Sequence, residues 1–285
     1  MSNIKKIFPE RSRRIAITGG KGGTGKSTFS ILLANKLRKR NKKVVLVDCD
    51  VECPNDYLLL NQRLKEPVKK IYTRFPKLEK QKCQKCGLCA KKCRSHAIFK
   101  TPGGYPIFIH ELCSNCGLCW HICPYGAIKI KKKLIGEVFE NKINDNFYLI
   151  TGRSVGVVDE TGPIVTKTKE YVFNLIRKVK ADYVLFDTSV GLHCGVIRAL
   201  IDTDAAYAVT EPTPLGAHDL KLILSLLKIL KVNTEIVVNQ ADLGKIELIN
   251  EISRQTKTKI IYKINYSKEL VEAYSKGNLI NLNIL

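Results

Sequence analysis

Short apolar runs recur along the chain, most of them closed at their far end by a polar or acidic residue. They are Arg14-Ile-Ala-Ile-Thr18, Lys43-Val-Val-Leu-Val-Asp48, Asp182-Tyr-Val-Leu-Phe-Asp187, Ala205-Ala-Tyr-Ala-Val-Thr210, Glu235-Ile-Val-Val-Asn239 and Thr258-Lys-Ile-Ile-Tyr262. Runs that are apolar without alternation suit strands buried on both faces. Between them lie stretches with helical periodicity. Residues 28–40 turn Leu32, Leu33 and Leu37 inward, and residues 167–180 and 220–230 repeat the pattern. Strands alternating with helices predict an α/β fold, a mostly parallel sheet with helices on both faces. In such a sheet ligands bind beyond the carboxyl ends of the strands.

One stretch breaks the alternation. Residues 63–146 are basic, contain proline and are rich in cysteine. We therefore read residues 1–62 and 147–285 as one discontinuous domain and 63–146 as an insert with its own connecting segments. A chain of 285 residues is long enough for a full core plus an insert.

The first strand leads into Ile17-Thr-Gly-Gly-Lys-Gly-Gly-Thr-Gly-Lys-Ser-Thr28, which satisfies G-x-x-x-x-G-K-[ST] through Gly20, Gly25, Lys26 and Ser27. This is the P-loop pattern. Glycines let backbone N–H groups curl round phosphates, and the following helix adds the favourable end of its dipole. Lys26 reaches the β/γ-phosphates, and the Ser27 hydroxyl binds Mg²⁺. The nucleotide-binding set is Gly20, Lys21, Gly22, Gly23, Thr24, Gly25, Lys26, Ser27 and Thr28.

Lys21 ahead of Gly22-Gly23 makes the loop GKGGTGKST, which resembles the MinD/ParA/dinitrogenase-reductase family of P-loop ATPases. The resemblance implies ATP and Mg²⁺ and a nucleotide-sandwich dimer with a second copy or a related paralogue. Lys21 would act across the dimer on the partner's phosphates, or else be an ordinary exposed lysine. Asp50 would orient or activate the attacking water, making Lys21, Lys26 and Asp50 the catalytic set. Asp48 would sit near Mg²⁺, and Asp187 would hold it through water. Asp48 and Asp50 also read as caps of the next helix. In the family a D-x-P-x-G switch follows the strand. Here it is Asp187-Thr-Ser-Val-Gly191, with Ser189 in place of proline. Asn239-Gln-Ala-Asp242 resembles the base-recognition turn, so Asn239 and Asp242 are adenine-side candidates, and Asn239 alone also reads as a turn residue. The loop to Tyr266 would border the base.

The cysteines have a different chemistry. Eight of the eleven fall between Cys83 and Cys123, in two runs of C-x2-C-x2-C-x3-C offset by 30 residues. Gly87/Gly117, Leu88/Leu118, Ala97/Ala127 and Ile98/Ile128 recur with them, so the segment is an internal duplication. It looks like a bacterial-type ferredoxin, an α+β domain with two [4Fe–4S] clusters. In that motif the fourth cysteine of each run serves the other cluster. The resemblance thus groups Cys83, Cys86, Cys89 and Cys123 at one cluster, and Cys113, Cys116, Cys119 and Cys93 at the other. Two zinc ribbons remain an alternative reading of the CxxC pairs. A structural rather than redox role for the clusters is a second. Pro124 fits the pattern and Arg94 departs from it. A cation there would raise the potential of the nearer cluster.

Composition adds two constraints. Clustered cysteines in a reducing compartment indicate metal rather than disulfides. The charged stretch MSNIKKIFPERSRR reads as no signal peptide, and no run of 18 apolar residues occurs, so a cytoplasmic protein without a membrane span is expected. The net charge of +22 favours acidic partners. Taken together, the chain resembles MinD-superfamily ATPases with an inserted ferredoxin domain. That implies an ATP-gated electron donor or iron–sulfur maturation factor acting on an unidentified redox or iron–sulfur client. The alternative is a positioning ATPase of the ParA/MinD type that binds DNA non-specifically.

Overall fold

The computed structural model describes residues 12–156, 158, 160–282 and 284–285, so the amino-terminal stretch read above lies, up to residue 11, outside the described residues. In chain order the elements are β1 (Arg13–Thr18), α1 (Lys26–Lys39), β2 (Val44–Asp48), α2 (Asp56–Leu59), β3 (Lys69–Leu78), α3 (Leu88–Lys91), β4 (Ile98–Phe99), β5 (Ile107–Phe108), α4 (Leu118–His121) and β6 (Ile128–Asn144). There follow β7 (Phe147–Ser154), α5 (Gly162–Val179), β8 (Tyr183–Asp187), α6 (Cys194–Leu200), β9 (Ala205–Thr210), α7 (Pro214–Ile229), β10 (Asn233–Asn239), α8 (Ile246–Thr256), β11 (Ile260–Ile264) and α9 (Lys268–Ser275). The chain forms two compact units. The first runs to Lys69 and resumes over Glu137–Arg153 and Glu160–Leu285; the second holds Lys70–Gly136 and the short stretch from Ser154.

In the first unit the strand order is β11-β10-β9-β1-β8-β2-β7-β6. The pairs from β11 to β7 are all parallel. β6 reaches β7 through the two-residue turn Asp145-Asn146, which only an antiparallel hairpin allows. The apolar runs are buried on both faces as expected, and alternate residues serve opposite layers. Ile15 and Ile17 of β1 join Phe29, Leu32 and Leu33 of α1 in one core. Ala16 between them joins Val196 and Leu200 of α6 and Leu220, Ile223 and Leu227 of α7 in the other. This is the α/β P-loop architecture that the sequence predicts.

Two differences have physical causes. The last strand lies at Ile260–Ile264, two residues later than the run suggested, because Thr258 closes the end of α8 by donating its N–H to Ser253 O. The stretches read as connections around the insert are themselves strands. β3 and β6 run antiparallel: Val68 N–H donates to Val138 O and, further along, Glu79 N–H donates to Ala127 O. Their Lys-rich sequences hide this, since Lys70, Tyr72, Arg74 and Lys77 of β3 are exposed.

In the second unit the duplicated sequence is a duplicated geometry. A 3₁₀ turn at Lys80–Lys82 has its counterpart at His110–Leu112. Left-handed Lys85 and Gly87 (φ 56° and 78°) match Asn115 and Gly117 (54° and 82°). Each glycine opens a short helix, α3 or α4. The two halves exchange hydrogen bonds: Glu79 N–H donates to Ala127 O at 2.7 Å, and Ile109 N–H to Ala97 O at 2.8 Å. Ile98 and Ile128, equivalent in the repeat, meet with Cys89 in one small core.

Phe29 anchors α1 over the sheet. It is 1% exposed, and its ring lies edge-on to Tyr207 at 5.6 Å and tilted against Tyr262 at 5.5 Å. Phe29→Ala should lower unfolding stability by about 3–5 kcal/mol, read from the denaturant midpoint of the nucleotide-free protein.

Candidate functional site

The loop between β1 and α1 is shaped by close packing. A Cβ on Gly20 would lie 2.5 Å from Asp219 Cβ, and one on Gly19 would lie 2.6 Å from Val209 O. Gly25 adopts φ 88°, which a side chain would strain, and precedes α1 without any side-chain cap. The N–H groups of the first turn of α1 are thus left for a ligand. They open on a cavity of about 350 Å³. Gly22, Gly23, Gly25, Lys26, Ser27 and Thr28 form one wall; Asp50, Asn55, Thr188 and Val190 form another.

Lys26 is almost fully buried, and its Nζ donates to Lys21 O at 3.0 Å. Burial lowers its pKa, while Asp187 and Asp50 oppose that shift. Lys21 points elsewhere: its Nζ meets Glu211 Oε1 at 2.5 Å. The same Glu211 oxygen accepts from the Thr213 hydroxyl at 3.1 Å. The Lys21 ammonium is therefore held within its own subunit.

Asp48 and Asp187 are direct partners in the β2–β8 register. Asp48 is spent on its own loop, accepting from the N–H groups of Asp50 (3.0 Å), Asn55 (2.9 Å) and Asp56 (3.1 Å). Burial first, and then Asp187, pushes the Asp48 pKa well up. Asp187 is pushed up to about 6, chiefly by burial, with the Ser27 hydroxyl and Lys26 acting against the shift. Asp50 is raised by burial and lowered by the Cys53 N–H, Lys26 and His193.

Asp56 was missed by sequence reasoning because it reads as an ordinary first-turn acid of a short helix. It is fully buried, neither carboxylate oxygen has a hydrogen-bond partner, and burial and Asp187 raise its pKa. Asp187 Oδ1 is also without a partner. Such carboxylates are costly to bury without a cation. Together with the Ser27 hydroxyl they fit a Mg²⁺ held partly through water.

Elsewhere along the cavity, Asn239 and Gln240 line it with Leu270, Val271 and Tyr274 of α9. Asn239 Nδ2 donates to Thr24 O at 3.2 Å. Asp242 is not at the cavity: its Oδ1 accepts the Tyr266 N–H at 2.7 Å and so fixes that loop. Tyr266 is exposed and outside the cavity lining, whereas Tyr274 is in it. The amphipathic pattern of residues 268–275 was the available signal for α9.

In the second unit Cys83, Cys86, Cys89 and Cys123 border one small pocket with Leu78, Pro124 and Ile128. Cys123 comes from the second sequence run and the other three from the first. Burial raises the Cys89 pKa, and Cys86, Cys123 and Cys83 add to it. Cys119, pushed up to about 11 by burial, is next influenced by Cys113. Among the described residues, no three His, Cys, Asp or Glu side chains are gathered as a single metal ion requires. Four thiols spread round a cavity, with duplicated left-handed glycines, fit a larger inorganic group.

Comparison with known proteins decides the family. Residues 15–280 match the CobQ/CobB/MinD/ParA nucleotide binding domain. The chain belongs to the CobQ/CobB/MinD/ParA nucleotide-binding family. This MinD/ParA-type chain is 38% identical over 264 residues to uncharacterized protein MJ0579 of Methanocaldococcus jannaschii, covering 92% of this chain and 89% of that protein. Its fold resembles the cell division ATPase MinD of Pyrococcus furiosus, with a TM-score of 0.57 and 21% identity over 94% of this chain and 90% of that one. It also resembles the septum site-determining protein MinD of Pyrococcus horikoshii, solved with Mg-ADP, with a TM-score of 0.56 and 18% identity over 93% and 86%. The family match runs across the cysteine segment, but its description speaks only of nucleotide. No helix among the described residues is long and apolar enough to cross a membrane.

Asp187 gives a prediction with two signs. The folded protein holds this proton more tightly than the unfolded chain, whose carboxyl titrates near 3.8. In the nucleotide-free protein the Asp187 contribution to stability is therefore present at low pH and lost as pH rises through about 6. Mg²⁺-nucleotide affinity should move the other way, rising over the same interval. Asp187→Asn should flatten both curves, measured by thermal unfolding and by titration with Mg-ADP.

Proposed function

We propose that the protein is an ATPase working as a nucleotide-bridged dimer of itself or with a related paralogue. It carries two [4Fe–4S] clusters and couples the nucleotide-dependent rearrangement of the dimer to electron transfer to a client, or to metallocofactor maturation of that client. The observation that carries this reading is the meeting of Cys123 with Cys83, Cys86 and Cys89 at one cavity, within a chain whose other unit has a P-loop cavity.

The chain's own residues divide the work. Backbone N–H groups around Gly22–Thr28 and the Lys26 ammonium bind the phosphates. Ser27 and Asp187 orient Mg²⁺, with Asp48 stiffening the loop behind it. Asp50, lining the cavity and partly buried, holds the attacking water. Lys21 must leave Glu211 to reach a partner's phosphates, and the energy of that exchange makes dimerisation depend on nucleotide. A ligand shifts such an equilibrium only by its differential affinity for the two states. Cys83, Cys86, Cys89 and Cys123 would hold one cluster, and Cys113, Cys116, Cys119 and Cys93 the other. The clusters supply one-electron storage. Residues 70–136 hold fourteen Lys or Arg and two acids, Glu79 and Glu111, which suits an acidic client. The same charge suits DNA, but positioning on DNA requires no cluster.

The test is anaerobic purification followed by iron and sulfide analysis and EPR of the reduced protein with and without MgATP. Two interacting cluster signals that change with nucleotide are expected, and Cys123→Ala should lose about half the iron. Oxygen-free material lacking iron, or holding zinc, would remove the redox reading and leave a nucleotide switch. Lys21→Ala should abolish ATP-dependent dimerisation in sedimentation experiments; undiminished dimerisation would sink the trans role.

A further inference from the structure

The loop after β8, Asp187-Thr-Ser-Val-Gly191, runs along the nucleotide cavity. The family resemblance implies a D-x-P-x-G switch after this strand, and the residue in the proline position here is Ser189. A proline fixes φ and removes conformers that the loop must otherwise give up. Something else has to limit Asp187-Thr-Ser-Val-Gly191, because Thr188 and Val190 line the nucleotide cavity.

His193 stands in the position to do so. It is the N-cap of α6, in extended conformation (φ −77°, ψ 172°). Its Nδ1 accepts the Gly195 N–H at 3.2 Å. With Nδ1 an acceptor, the neutral ring carries its hydrogen on Nε2, which lies 3.1 Å from Ser189 Oγ and donates to it. One imidazole thus ties the residue in the proline position to the first turn of the next helix. Gly195 leaves room for this, since a Cβ there would sit 3.1 Å from the ring and 2.4 Å from Thr161 Oγ1.

The segment is held at its other joints too. Thr188 N–H donates to Ile17 O at 3.0 Å, which fixes the loop's start to β1. At the far end of α6 the buried Lys169 ammonium donates to the carbonyls of Arg198 (3.0 Å), Ala199 (3.0 Å) and Ile201 (2.5 Å). Ser189 itself is 6% exposed, while His193 reaches it from the solvent side. Between two fixed ends, the Ser189–His193 contact governs where Thr188 and Val190 stand.

We infer that His193 is a positioning residue for ATP hydrolysis: its ring staples the switch loop through Ser189 and replaces the missing proline. The inference rests on the nucleotide-site reading above. It makes α6, with exposed Cys194 at its start, move with the loop whenever nucleotide displaces it.

The experiment compares the full chain with His193→Asn, Ser189→Pro and the double variant. Asparagine caps a helix as well as histidine does here but is too short to reach Ser189, so folding is preserved while the staple is cut. Steady-state ATP hydrolysis and Mg-ADP affinity are measured for each, with thermal unfolding as the control for folding. The expected result for His193→Asn is a kcat lower by about tenfold with Mg-ADP affinity changed less than about threefold, since the loss falls on the arrangement for reaction rather than on binding. Adding Ser189→Pro should return kcat to within about threefold of the parent. An unchanged kcat in His193→Asn overturns the proposal. So does a parallel loss of kcat and affinity, or a double variant no better than His193→Asn. If the parent chain itself binds no Mg-ADP, the nucleotide-site reading fails instead, and the two failures are distinct.

Discussion

Two carboxylates side by side in a dry sheet are the constraint from which the nucleotide unit is built. Asp48 and Asp187 end neighbouring parallel strands in register, and both are buried. Like charges so placed repel strongly, and burial alone already disfavours ionisation. The surroundings answer each acid differently. Three backbone N–H groups from the loop after β2 converge on Asp48, which thereby fixes the path to α2. Asp187 is left with an unpartnered oxygen facing the start of α1. One acid shapes the loop and the other awaits a cation. Lys26 and Ser27 complete the arrangement because the glycine turn presses the start of α1 against the strand ends.

Much of this was legible in the sequence because it obeys short-range rules. The glycine pattern, the apolar runs and their terminal acids lie within a few residues of one another, and each has a local physical meaning. The duplicated cysteine spacing is also local. What escaped were features set by tertiary contact. Asp56 acquires its character only from burial beside Asp187. Tyr274 reaches the cavity because Ser267 caps α9 and directs it there, accepting the Leu270 N–H at 3.3 Å, while Asp242 is diverted to holding the Tyr266 backbone. β3 and β6 look like basic linkers because their exposed positions are lysines, which also discourage pairing at a sheet edge. Chain order gives no sign that Lys21 rests on Glu211, since the two residues are far apart in sequence.

The distribution of charge gives the second unit a distinct electrostatic character. Lys77 and Lys131 come within hydrogen-bonding reach, and that contact, followed by their mutual repulsion, lowers the pKa of Lys131. Lys80 and Lys85 both approach the ring of Tyr105, at 5.7 and 4.6 Å. Positive groups crowded in this way gain from an anionic neighbour and resist a basic one. The nucleotide unit keeps more of its cations in ion pairs, such as Lys69 with Glu170 and Arg153 with Glu137.

The reciprocal hydrogen bonds of the repeated segment carry a consequence for its origin. Each half offers one edge that only the other half satisfies, Glu79 to Ala127 and Ile109 to Ala97. A free-standing half would expose an open strand edge, and the pocket bordered by Cys83, Cys86 and Cys89 would lose Cys123, which comes from the opposite run. Two identical halves side by side would satisfy both needs. The segment is thus a symmetric pair of short peptides closed into one polypeptide, and tandem fusion of a self-associating ancestor is the simplest route to it.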